Sequence, residues 1–134
     1  MASERQYGVE NNSFIAAGKV DGIRQLVEDF YQQMDEQPNA KVIRSMHKDD
    51  LTESIDKLTR FLCGWLGGPK LFSDKYGPIR IPKAHSHLDI GYAERDAWLG
   101  CMEQAIAKQP YERRFKKYLL QQLAVPAERS RNIN

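Results

Sequence analysis

The sequence predicts an all-α fold, on three observations. Apolar residues recur at the helical angle of about 100° per residue in several stretches. No segment alternates apolar and polar residues with the period of a strand. Glycine and proline clusters punctuate the helical stretches at Gly18, Gly22, Pro38, Gly67-Gly68-Pro69, Pro110 and Pro126.

Taken in order, residues 1–12 are polar and read as a flexible tail, residues 13–125 as a single domain, and 126–134 as a frayed C-terminal tail. A short helix is expected over Ser13–Ala17, ended by Gly18. Asp21 can cap the next helix, in which Ile23, Leu26, Val27, Phe30 and Met34 share one side and Tyr31 falls at the edge. Pro38 and Asn39 break that helix, and a short turn follows from Ala40 to His47. Asp49 and Asp50 then open a long helix, acidic residues at the positive end of its dipole. Its stripe of Leu51, Ile55, Leu58, Leu62 and Trp65 ends at Gly67-Gly68-Pro69.

Residues 70–84 have neither period and read as a long ordered loop, a feature that in small domains is usually functional. Pro78 and Pro82 stiffen the approach to His85. The next helix spans about Gly91 to Lys108, with Trp98, Cys101, Met102, Ala105 and Ile106 on its apolar side. Pro110 is placed to start the last helix, whose inner side carries Tyr111, Phe115, Tyr118, Leu119, Gln122 and Leu123 and which Pro126 ends.

The chain has 134 residues, enough for one real core, and 20 basic against 18 acidic residues leave a net charge of +2. That balance gives no pull towards nucleic acid or an anionic membrane. No apolar run approaches a membrane span, and the polar start lacks the apolar stretch of a signal peptide. Cys63 and Cys101 lie inside helical patterns and need not pair, so a cytoplasmic location with reduced thiols is the simplest assignment.

An imidazole on stiff, irregular backbone ahead of a helix suits a metal ligand, although a lone histidine is more often structural. His85 and His87 together invite a zinc reading, but no further Cys or His is placed to complete about four ligands. Arg113-Arg114 and Lys116-Lys117 read as the solvated side of the last helix.

With these residues in place the pattern resembles the truncated haemoglobins of group II, the 2-on-2 α-helical globins, over roughly residues 13–123. The marks are Phe30-Tyr31, Ile43-Arg44-Ser45-Met46-His47 before Asp50-Leu51, Phe61-Leu62 with Gly67-Gly68-Pro69, the loop to His85, and Glu94 through Met102. The resemblance implies haem b, with His85 as the iron ligand, its other ring N–H held by an acceptor such as a backbone carbonyl. Trp98 matches the tryptophan over the distal ligand site, Tyr31 the distal tyrosine, and His47 a residue at the distal edge that can donate a hydrogen bond or deliver a proton. Ser54 and Leu58 match distal-helix positions, Ser54 being short for a distal donor. Glycines 18, 22, 67 and 68 resemble the family's glycine motifs.

The apolar wall implied comprises Leu58, Phe61, Leu62, Leu71, Phe72, Leu88, Ile90 and Met102. Many group II members carry basic residues where this chain has Pro82 and Ala84, so propionate pairing passes to Arg80 or Lys83. The implied ligands are O₂, CO, NO and peroxide, with an external reductant and a monomer or weak homodimer. Donors at Tyr31, Trp98 and His47 would slow O₂ release and favour redox chemistry, NO dioxygenase- or peroxidase-like, over bulk transport. The alternatives are a non-catalytic gas or redox sensor and a haem-free helical interaction module.

Overall fold

The computed structural model describes residues 6–133, the side chains of Lys83 and Ala84 excepted. The described residues form helices and no strands: α1 Asn12–Ala16, α2 Lys19–Glu36, a 3₁₀ turn Pro38–Ala40, α3 Lys41–Ser45, α4 Thr52–Trp65, α5 Leu71–Tyr76, α6 Ile81–Ala84, α7 Tyr92–Ala107 and α8 Arg113–Ser130. Helix α2 packs on both α4 and α7, and α7 packs on α8, giving two layered helix pairs. The expected α2 stripe is fully buried: Ile23, Leu26, Val27 and Phe30 have no exposure, and Tyr31 is 6% exposed.

Two glycines allow close approaches. A Cβ at Gly22 would stand 2.3 Å from the Ala17 oxygen, so α1 and the start of α2 can meet only without one. At Gly67 φ is +91°, and a Cβ would stand 2.1 Å from the Glu10 oxygen. Gly67 and Gly68 close α4 with the bond from Gly68 N–H to Cys63 O, 2.8 Å, and the Leu66 carbonyl is free to accept Phe14 N–H at 3.0 Å.

Several sequence expectations need correcting. Gly18, at φ 88°, occupies the cap position of α2, and Asp21 sits in its first turn instead of capping it. Asp50 lies one residue ahead of the α4 cap position, Leu51, and its carboxylate accepts Thr52 N–H at 2.9 Å. The stretch 70–84 is not all loop, since it holds α5 and α6, too short for a hydrophobic period to register. Pro110 precedes α8 by three residues instead of opening it, and Gln122 is exposed.

Pro126 does not end α8, which continues to Ser130. Proline removes the bond to the carbonyl four residues back. That carbonyl belongs to exposed Gln122, where water can replace the lost donor. Residues 126–130 are therefore helical, and beyond them Asn132 binds back to Ile90. At the other end, residues 1–5 of the expected tail lie outside the described residues. Tyr7 stacks edge-on against Phe115 at 5.0 Å and lies 5.1 Å from Tyr118, and its hydroxyl bonds Glu112.

Candidate functional site

A cavity of about 770 Å³ lies between α4, the α5–α6 segment, α7 and α8. Tyr31 and Trp98 reach it from the two core helices, both seated on the Phe30 ring at 5.0 and 5.1 Å. Phe30 is fully buried, so both side chains rest on an immobile support. Burial pushes the Tyr31 hydroxyl far above the ordinary phenol range, against a smaller downward pull from nearby Ser54. The phenol therefore stays protonated and able to donate.

His47 follows α3, its ring 5.6 Å from that of Tyr31 at 75°. Its Nδ1 lies 2.8 Å from the Ile43 carbonyl. A carbonyl only accepts, so Nδ1 carries the proton and Nε2 keeps its lone pair. Burial lowers the His47 pKa, and the neighbouring Arg44 and His85 lower it further against the opposing pull of the Ile43 carbonyl. The resting imidazole thus offers the cavity an acceptor, not the donor expected from sequence.

His85 stands one residue past α6 and repeats this geometry, Nδ1 donating to Ile81 O at 2.8 Å. Its Nε2 lone pair is the free coordinating atom. His87 is exposed and does not line the cavity. Among the described residues no three His, Cys, Asp or Glu side chains gather as a metal-ion site.

Leu58, Phe61, Leu62 and Phe72 line the cavity as expected, together with Ser54 and Arg80. The other four members of the expected wall do not. Met102, one turn beyond Trp98, is fully buried in the core. Leu71 packs on the core while its neighbour Phe72 takes the cavity side. Leu88 and Ile90 lie on the segment whose backbone is tied to Asn132, outside the cavity lining. The Lys83 side chain lies outside the described residues.

Sequence reasoning missed Leu123, Pro126 and Ala127 of α8, and Pro78, Ile79 and Ile81 before His85. The i, i+3, i+4 spacing of the α8 trio was the available signal. It also missed Lys57 and Tyr76. The Tyr76 hydroxyl donates to Asp56 at 2.6 Å, beside Lys75 at 2.9 Å and Arg60 at 2.9 Å. Those partners hold the Asp56 carboxyl well below the usual range, the Tyr76 bond foremost.

The residue set fits a flat, apolar macrocycle with acidic substituents. The cavity has apolar walls, the His85 lone pair for a central metal, and cationic Lys57 and Arg80 for the acidic groups.

The comparisons with known proteins agree with that chemistry. The family model described as "Bacterial-like globin" matches residues 12–130. A group 2 truncated hemoglobin, YjbI of Bacillus subtilis (strain 168), is 30% identical over 105 residues, covering 78% of this chain and 77% of its own. The group II 2-on-2 hemoglobin of Agrobacterium tumefaciens superposes with a TM-score of 0.85 at 30% identity, covering 98% of each chain. The cold-adapted truncated hemoglobin of Pseudoalteromonas haloplanktis TAC125 gives 0.87 at 28% identity, over 91% of this chain and 98% of its own. Fold, cavity and relatives converge: the chain belongs to the bacterial-like globin family, among the group II truncated haemoglobins.

Proposed function

We propose that the cavity binds haem b through His85 and takes O₂, CO or NO on the side of Tyr31, Trp98 and His47. The family itself makes this a haem-based gas-binding protein. The observation that carries the finer reading is the His85 ring, whose Nδ1–H is committed to Ile81 O at 2.8 Å. That bond fixes the tautomer and ring angle and raises the basicity of Nε2. When bound, the iron porphyrin supplies a coordination position open to a diatomic ligand.

The protein's own part is electrostatic. The Tyr31 hydroxyl and the Trp98 indole N–H are donors for partial negative charge on a ligand, each hydrogen bond contributing on the order of 1 kcal/mol. The His47 lone pair can accept a proton from a protic ligand such as hydrogen peroxide. Arg80 and Lys57 at the rim serve the propionates. Two donors slow O₂ loss, and with an acceptor beside them the site suits NO and peroxide chemistry driven by an external reductant better than bulk transport. Buried, unpaired Cys63 and Cys101 are compatible with a reducing cytoplasm.

The test is the visible spectrum of purified protein, ferric and dithionite-reduced, beside His85→Ala and His87→Ala. A Soret band kept in His87→Ala and lost or badly altered in His85→Ala supports the reading, and wild type that takes up no haem ends it. Steady consumption of NO or peroxide with a reductase separates the redox role from a gas sensor, which would bind without turnover.

A further inference from the structure

The segment from His85 to Gly91 is neither helix nor strand, and a turn from Leu88 N–H to His85 O at 3.0 Å lies within it. Order comes from the far end of the chain. Helix α8 runs on to Ser130, and Arg131, in an extended conformation, turns the backbone down onto this segment. There the Asn132 and Ile133 N–H groups both donate to Ile90 O, at 2.8 and 3.1 Å.

The Asn132 side chain completes the junction. Its Oδ1 accepts Ile90 N–H at 2.9 Å, and its Nδ2 donates to Leu88 O at 2.6 Å and to His85 O at 3.3 Å. A flipped amide would set oxygen against two carbonyls and NH₂ against an N–H, so the network fixes the orientation. Arg131 anchors the corner: it pairs with Glu128 at 2.7 Å and lies over the Tyr92 ring at 4.1 Å. Glu128 also meets Arg95 of α7 at 2.7 Å.

We propose that Asn132 is a positioning residue for His85, a C-terminal strap that sets the angle at which the imidazole meets the iron. The inference rests on the haem reading above. The His85 ring is held by Ile81 O, and its backbone carbonyl accepts both Leu88 N–H at 3.0 Å and the Asn132 amide at 3.3 Å. Asn132 ties the His85–Leu88 turn to the end of α8, and without it the turn and the ring it carries can shift together. The side chain responsible lies forty-seven residues from the histidine it orients.

The test compares wild type, Asn132→Ala and Asn132→Asp in the haem-loaded ferrous protein. Aspartate keeps the acceptor for Ile90 N–H and loses both donors. The readouts are the iron–histidine stretching band in resonance Raman and the rate of haem transfer to an apo-acceptor. Asn132→Ala should shift and broaden the band and speed haem loss at least five-fold, and Asn132→Asp, whose second carboxylate oxygen would face the Leu88 and His85 carbonyls, should do so at least as strongly. Ile106→Val, a core change, controls for lost stability and should leave the band in place. A band unmoved in Asn132→Ala overturns the inference and leaves the strap a structural contact only. Exchange of the Ile90 amide hydrogen in haem-free protein, slow in wild type and fast in Asn132→Ala, reports the contact independently. If the contact is present and His85→Ala leaves the haem spectrum unchanged, it is the haem reading that has failed, and the inference falls with it.

Discussion

His47 and His85 face one cavity in the same tautomer, each imposed by an Nδ1 hydrogen bond of 2.8 Å to the carbonyl four residues earlier. Each keeps an Nε2 lone pair outside those bonds, and the two differ in position. His85 follows the proline-stiffened α6, whereas His47 lies between α3 and α4 against Tyr31. On haem-loaded protein above pH 7, His47→Leu should leave O₂ dissociation within about two-fold of wild type, because no N–H donor is removed. Peroxide consumption in the same variant should fall by more than about ten-fold, the loss of a general base. Stopped-flow measurement of both rates decides it, and a large rise in O₂ loss would restore the donor role.

The lowered His47 pKa makes stability depend on pH in a definite direction. Its neighbours are Arg44 and His85, both of which disfavour a further positive charge, and the Tyr31 phenol, which stays neutral. Below about pH 6.5 the unfolded chain binds a proton at this residue before the folded chain does. Stability contributed by the neutral imidazole is therefore present above that pH and is lost as pH falls towards the folded value. Urea unfolding of haem-free protein at pH 7.5 and 5.5 should show a smaller acid loss in His47→Gln than in wild type. An equal loss in both would contradict the assignment.

Tyr31 and Trp98 should act as donors that share a support. Removing either leaves a ligand short of one hydrogen bond, on the order of 1 kcal/mol, so Tyr31→Phe and Trp98→Phe should each speed O₂ dissociation about five-fold. Both rings sit on Phe30, so the double variant need not be additive. Oxygen dissociation rates unchanged in both single variants would remove the case for a redox role built on slow O₂ release.

What the sequence disclosed follows from how locally each feature is encoded. The apolar stripes of two long helices placed Tyr31 and Trp98, and the prolines set His85 on stiff backbone, but their roles at the site came from the resemblance and not from period. Leu58 and Leu62 follow from one strong period on α4, and Phe61 came with the resemblance. The misses lie where period gives no guidance. Helices α5 and α6 span six and four residues, under two turns, so which of Leu71 and Phe72 faces inward is a tertiary matter. Pro126 read as a stop and hid Leu123, Pro126 and Ala127 as a cavity wall. The tautomer of His47, which turns an expected donor into an acceptor, depends on one backbone carbonyl that no sequence pattern displays.

Gly22 and Gly100 are both helical glycines, and substitution should move stability in opposite directions. In α7 a Cβ at Gly100 would meet nothing within 4 Å, so Gly100→Ala gains helix propensity of about 0.5–1 kcal/mol. At Gly22 the new Cβ would stand 2.3 Å from the Ala17 oxygen, a backbone atom that cannot swing aside. Overpacking of this kind costs about 1–3 kcal/mol. The same oxygen accepts the Tyr111 hydroxyl at 3.1 Å, so displacing it also breaks the tie between α1 and the segment ahead of α8. Tyr111→Phe alone should cost about 1 kcal/mol. Because both changes act through the Ala17 carbonyl, the Gly22→Ala/Tyr111→Phe pair should cost less than the two single variants added together. Urea denaturation of the four proteins measures this directly. Full additivity would mean that Ala17 keeps its place when Gly22 changes, and that the glycine serves the helix for another reason.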